Sequence, residues 1–205
     1  MNLKAFGSGL LALVLTAGLM TGCINKDKNN GTSSLPSSSL SSESSSEAGN
    51  GDTAPSGKLQ DVRDAVAKAM GEEGYIANPM QYDETMLEEQ FGLTKDLYKA
   101  AMAEAPMISV NAGLFVGVEA VEGKAEEVRK KLGDYRDKLN EDEMQYPMNR
   151  MKVKSAEIYS QGDYIFLVML GAVTNESMDM EDADQLEYFK KENQKAIDAI
   201  KEALK

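Results

Sequence analysis

The run Tyr164-Ile165-Phe166-Leu167-Val168-Met169-Leu170 is apolar at every position. A strand with one wet face alternates apolar and polar residues, so a strand without alternation is covered on both sides. This run therefore calls for a place inside a sheet, with helices or loops on each face. Just before it, Ser160-Gln161-Gly162-Asp163 is a four-residue loop containing glycine. That signal joins the apolar strand (about 163–171) to a partner over about 152–159 as a hairpin. Leu114-Phe115-Val116-Gly117-Val118, continuing to Val121 and ended by Gly123, reads as a further strand.

The covering helices are visible by their period. Ala125, Val128, Leu132, Tyr135 and Leu139 recur at spacings of 3, 4, 3 and 4 and predict a long helix over about 124–144. Glu126–Lys130, Glu127–Lys131 and Asp134–Lys138 lie at i, i+4 on its outer face, and Tyr146-Pro147 stops it. An N-terminal helix carries Leu59, Val62, Val66, Ala69 and Met70 on one face and ends at Gly71 and Gly74. A short helix over 84–90 starts with Asp83 as its cap and stops at Gly92. The last helix, about 182–204, turns Leu186, Phe189, Asn193, Ala196, Ile197 and Ile200 inward. Its acidic start and basic end complement the helix dipole. Residues 94–104 have helix-favouring Ala and Met, but Pro106 limits a helix there and the segment reads as extended. The expected fold class is α+β: a small, mostly antiparallel sheet of three to four strands packed against the long helix, with N- and C-terminal helices.

The N-terminus has the three parts of a secretory leader: Lys4, an apolar core from about Gly9 to Met20, and small residues at Thr21-Gly22. The core is shorter than the ~20 residues a membrane helix needs. It ends at Cys23, the one cysteine of the chain, so a disulfide within the chain is excluded. Residues 24–57 are rich in Ser, Asn and Gly and cannot bury enough apolar surface to offset their ordering entropy. Such a tether spans roughly 30–35 Å as a flexible coil. The expected organisation is a leader over 1–22, Cys23 and a tether to 57, and one globular domain over 58–205.

The formal charge is −12. Loss of Lys4 with the leader makes it −13, and the tether holds −2 of that, leaving −11 on the domain. Phosphate backbones repel such a surface, so no nucleic-acid partner is expected.

Thr21-Gly22-Cys23 resembles a bacterial lipobox, with Met20 in place of the usual leucine. The resemblance implies cleavage after Gly22 and a diacylglyceryl thioether on Cys23, which two acyl chains would anchor durably in membrane lipid. The order of elements over roughly 75–175, and above all Tyr146-Pro147 and Gly162-Asp163-Tyr164-Ile165-Phe166-Leu167-Val168, is similar to a family of extracytoplasmic lipoproteins of Gram-positive anaerobes. That family is known only as a domain of unknown function. The likeness implies a lipid-anchored protein on the outer face of the membrane and supplies no catalytic residues.

The chain has no histidine, which removes the commonest general base, the Ser-His and Cys-His triads and imidazole metal sites. No Gly-rich phosphate loop and no calcium-binding loop pattern occurs, so no cofactor and no metal is expected. The acids Asp179, Glu181, Asp182 and Asp184 read as a helix start. Tyr146, Tyr159 and Tyr164 could line an aromatic groove, against the alternative of ordinary strand packing. Met144, Met148 and Met151, spaced 4 and 3 apart, read as core. The expected function is a non-enzymatic binding or interaction module, with an envelope protein or glycan as partner. The alternative is a hydrolase of cell-envelope polymer using two carboxylates.

Overall fold

The computed structural model describes residues 57–108, 110–142 and 144–205. The leader, Cys23 and the tether up to residue 56 lie outside the described residues, and Gly57, expected as the last residue of the tether, opens the first helix. Five strands form one sheet: β1 (Pro79–Gln81), β2 (Tyr98–Pro106), β3 (Leu114–Ala120), β4 (Glu157–Gln161) and β5 (Tyr164–Met169). Their order is β1-β2-β3-β5-β4, and every neighbouring pair is antiparallel. The architecture is α+β as expected, with one strand more than the three to four read from sequence. The extra strand, β1, has three residues and opens with proline, which an edge strand tolerates and a sequence pattern cannot register.

Alternation assigns each strand two faces. On one face Ala101, Ala103, Leu114, Val116, Val118, Ile165, Leu167 and Met169 meet Leu87 and Phe91 of α2 (Glu84–Phe91) and Val128 and Leu132 of α3 (Ala125–Glu141). On the other, Ala100, Met102, Phe115, Phe166 and Val168 meet α1 (Gly57–Gly74) and α6 (Asp182–Ala203). The sheet is thus the middle of three layers, and Ile165 to Val168 of the apolar run are fully buried. Gly117 explains how close α1 approaches: a Cβ there would lie 3.1 Å from the Phe166 ring and 3.4 Å from Leu59 Cδ2.

Most helix ends follow the sequence. The Asp83 carboxylate accepts from the Met86 N–H at 2.8 Å, and Gly92 closes α2 in a left-handed conformation. Gly71, at φ 71° and ψ 177°, breaks α1 where a stop was expected. On α3 the ion pairs are Lys124–Glu127, Lys130–Asp134 and Arg136–Asp137 rather than the three i, i+4 pairs expected.

One assignment is corrected. Residues 152–154, expected in a strand, belong to α4 (Arg150–Lys154), and β4 begins only at Glu157. Pro147 starts a 3₁₀ turn, Pro147–Asn149, that leads straight into α4. The same break undoes the methionine spacing: Met151 is buried, whereas Met144 is 90% exposed. Residues on opposite sides of Pro147 do not share one helical face.

A final short helix, α5 (Asn175–Met178), carries a capping box in which Thr174 and Ser177 exchange hydrogen bonds. Asn193 of α6 is fully buried and holds three elements together. Its Oδ1 accepts from the Leu170 N–H at 2.8 Å, and its Nδ2 donates to the Ser155 carbonyl at 2.8 Å.

Candidate functional site: a lysine-floored cavity

The end of the sheet where β2 and β5 finish and β3 begins carries a cavity of about 460 Å³. Three segments make its wall: the end of α1 and the residues after it (Glu72 to Ala77), the β2–β3 connection at Asn111 to Gly113, and the chain leaving β5 (Leu170 to Thr174). Lys152 of α4 completes it from below.

Gly171 ties these segments together. Its N–H donates to the Gly74 carbonyl at 2.9 Å, joining the end of α1 to the exit of β5. Its own carbonyl accepts from Lys152 Nζ at 2.6 Å. Gly171 has φ 103°, and a Cβ on it would stand 3.0 Å from Glu192 Cβ and 3.2 Å from the Phe189 ring. Only glycine suits a backbone that is both left-handed and pressed against α6.

Lys152 is 7% exposed. Besides the Gly171 carbonyl, its ammonium faces the Phe189 ring, 5.9 Å from the centroid. Among the described residues no carboxylate forms an ion pair with it. Burial disfavours the charged amine and pulls its pKa from 10.5 down to about 8. An ammonium has three donors, and one carbonyl satisfies one of them.

The mouth has the opposite sign. Glu72 and Glu73 line it and are exposed. Tyr188 donates to the Ala172 carbonyl at 3.2 Å, and its phenol pKa is raised by burial and then by Glu192, Glu176 and Glu73. Acids therefore gather around the opening, while Lys152 is the one buried cation among the described residues.

Tyr75 links the wall to a second buried charge. Its hydroxyl donates to Glu104 Oε2 at 2.6 Å, and burial followed by that hydrogen bond raises its pKa. Glu104 is fully buried on β2, where Arg63 Nε reaches both its oxygens at 3.2 Å and Gln81 Nε2 donates at 3.4 Å. Arg63 also lies over the Tyr75 ring at 5.1 Å. Carboxylate, guanidinium, phenol and amide complete one another, so this network holds the wall rather than offering a free group.

The residues singled out by sequence fall elsewhere. Gly22 and Cys23 lie outside the described residues. Tyr159 and Tyr164 share the α1/α6 side of the β4–β5 hairpin. The Tyr159 hydroxyl donates to Gln161 Oε1 at 2.7 Å, and Lys201 Nζ stands 5.6 Å from its ring. Tyr164 begins β5, at the end of that strand opposite Gly171. Tyr146 is exposed in the connection between α3 and α4. None of the three lines the cavity. Lys152 carried no signal of its own, because its acceptor is 19 residues away and on another element. Among the described residues, no group of three or more acids or cysteines is placed to hold a metal ion. No described helix is long and apolar enough to cross a membrane.

A family model described as a domain of unknown function (DUF4358) matches residues 72–170. The match spans the acidic mouth, all five strands and Lys152, and stops before Gly171 and α6. No curated protein and no solved structure matches the chain.

Proposed function

We propose that this chain is a lipid-anchored extracytoplasmic module that binds a small ligand in the Lys152 cavity. The anchor rests on the leader, the single Cys23 after Gly22, and the Ser-rich tether. The binding role rests on one observation: the wall of a 460 Å³ cavity contains a buried ammonium with no carboxylate partner among the described residues. Small-molecule sites commonly fall between about 300 and 1,000 Å³ and combine apolar walls with a few convergent polar groups. A buried unpaired amine costs stability, and such groups in clefts are candidates for function.

The binding reading is favoured over the hydrolase. Paired-carboxylate hydrolysis sets one acid in a buried apolar setting across from a second. Glu104, the one buried acid among the described residues, is held by Arg63, Tyr75 and Gln81, and Glu72 and Glu73 in the cavity lining are exposed neighbours on one segment.

Two measurements test the proposal separately. Replacing Cys23→Ala should move the protein from the membrane fraction to the soluble fraction, and continued membrane association would refute the anchor. For the cavity, backbone amide shifts at Gly113, Gly171 and Ala172 should respond saturably to at least one member of a panel of small carboxylates, phosphates and sugars. A panel that leaves all three amides unmoved would refute the binding role.

A further inference from the structure

We infer that the cavity takes a small zwitterion, an amino acid or a short peptide, with its carboxylate on Lys152 and its amino group toward the glutamates of the mouth. The inference rests on the reading of this cavity as a ligand site and adds the class of ligand.

The floor supplies the first half of the recognition. Lys152 presents its ammonium to one carbonyl and one ring face, and the charge is balanced by no carboxylate among the described residues. A carboxylate is the group that offers such an ammonium both countercharge and acceptors, and charge-assisted bonds of this kind are the strong ones. In a water-poor floor the attraction is screened much less than at the surface. The lowered pKa of Lys152 fits the same picture, because an arriving anion would restore the charged form.

The mouth supplies the second half. Glu72 and Glu73 line the opening and Glu176 acts with Glu73 on Tyr188 beside it, whereas Glu192 is already paired with Lys195 at 2.9 Å. A ligand carrying only negative charge would meet these acids on its way to Lys152 and be repelled. A ligand that also carries an ammonium would be attracted at both stages. The two halves sit on adjoining backbone: Glu73 precedes Gly74, Gly74 accepts from Gly171, and Gly171 accepts from Lys152. The Lys152 amine and the backbone that carries Glu73 are therefore tied to each other by two hydrogen bonds of 2.6 and 2.9 Å. The walls between them include Ile76, Ala112, Leu170 and Val173, which accommodate apolar side chains. The volume suits one or two residues rather than a polymer.

The test uses the full chain with its lysines isotopically labelled, so that the Lys152 side-chain resonance is read directly by NMR. Four matched probes are titrated: L-alanine, L-alanyl-L-alanine, propionate and L-alaninamide. L-alanine or L-alanyl-L-alanine should shift the Lys152 resonance saturably, and the tighter of the two identifies the free amino acid or the peptide as the source. Propionate, lacking the amino group, should bind several-fold more weakly, and L-alaninamide should leave Lys152 unmoved. Lys152→Met should weaken the better zwitterion by about tenfold or more. Its folding is checked by urea unfolding. The double variant Glu72→Gln and Glu73→Gln, on the exposed mouth, should weaken the zwitterion several-fold while leaving propionate unchanged or tighter.

Equal affinity for propionate and the zwitterions would overturn the inference while leaving the cavity a ligand site. So would saturation of Lys152 by inorganic phosphate or glucuronate but by neither zwitterion. If none of these six probes moves Lys152, the inference and the binding reading fall together.

Discussion

Lys152 makes a quantitative prediction that does not depend on any ligand. Its pKa in the fold is about 8, against 10.5 in a solvated chain. Between those values the unfolded chain binds a proton that the folded chain has released, so stability rises with pH across that window. Below about 8 both states hold the proton and the fold carries the full penalty of a buried charge. Complete recovery would return roughly 3 kcal/mol at ~1.36 kcal/mol per pKa unit. The buried tyrosines limit the useful range. The phenols of Tyr75 and Tyr135 are raised mainly by burial, so unfolded tyrosines ionise first near pH 10 and pull stability back down. From about pH 7 to about 9.5 the lysine alone should contribute ~2 kcal/mol. The assay is urea unfolding at constant ionic strength over that range, on the natural chain and on Lys152→Met. The methionine variant exchanges a lost hydrogen bond to Gly171 for relief from burying a charge, so its stability at neutral pH decides nothing. Its slope does. The difference between the two chains should grow by ~2 kcal/mol in favour of lysine as pH rises. A difference that stays flat would show that the Lys152 amine is not held in a water-poor site, and the cavity floor would lose its electrostatic basis.

Three further substitutions probe the frame around the cavity. Glu104→Ala should cost ~2–3 kcal/mol, because it leaves the half-buried Tyr75 hydroxyl without its acceptor and Arg63 with only the exposed Asp64 as partner. Spectrophotometric titration of the same variant should find the Tyr75 phenol ionising at lower pH than in the natural chain, and no change would deny the Tyr75–Glu104 hydrogen bond. Asn193→Ala strips the acceptor of the Leu170 N–H and the donor to Ser155 at a site with no solvent, so a loss of ~2–3 kcal/mol is expected by urea unfolding. Gly171→Ala forces a side chain onto a left-handed backbone against Glu192 and Phe189. It should cost ~1–3 kcal/mol and shift the Lys152 resonance, and an unchanged resonance would argue against the Gly171 carbonyl as its acceptor.

The sheet and its helices were legible where the pattern was long. The apolar strand β5, the α3 stripe and the Asp83 cap each rest on several residues repeating one message, and local chemistry was enough. The failures share a different cause. β1 has three residues, and its existence depends on a partner 25 residues away, Met80 facing Ala105. Lys152 looked like one polar position in a strand, because the proline that turns 147–154 helical also hides which face the lysine takes. Glu104 sits among alanines and a methionine, and only α1 packing over β2 reveals that Arg63 and Tyr75 meet it. Carboxylates and lysines are read from sequence as solvated until a distant element covers them. For the tyrosines, Tyr159 and Tyr164 share a packed face, as ordinary strand packing would have it, and Tyr146 belongs to a different segment.

The antiparallel order of the sheet has a consequence for assembly. β2 with β3 and β4 with β5 are local hairpins, but β3 joins β5 along a seam running from Leu114 opposite Met169 to Glu119 opposite Tyr164. Closing the connection between them, residues 121–163, costs on the order of 3–4 kcal/mol of chain entropy, well above either hairpin. The Phe115 and Phe166 rings, 6.1 Å apart, lie across that seam on the side that α1 and α6 cover. That closure cost predicts that the two halves of the chain pair after their own hairpins have formed. One carries α1 to α3, the other α4 to α6, and the link between them passes the exposed Met144. A backbone cut at that link removes no strand pairing, so two separately produced fragments should find each other along the same seam and restore the cavity between them.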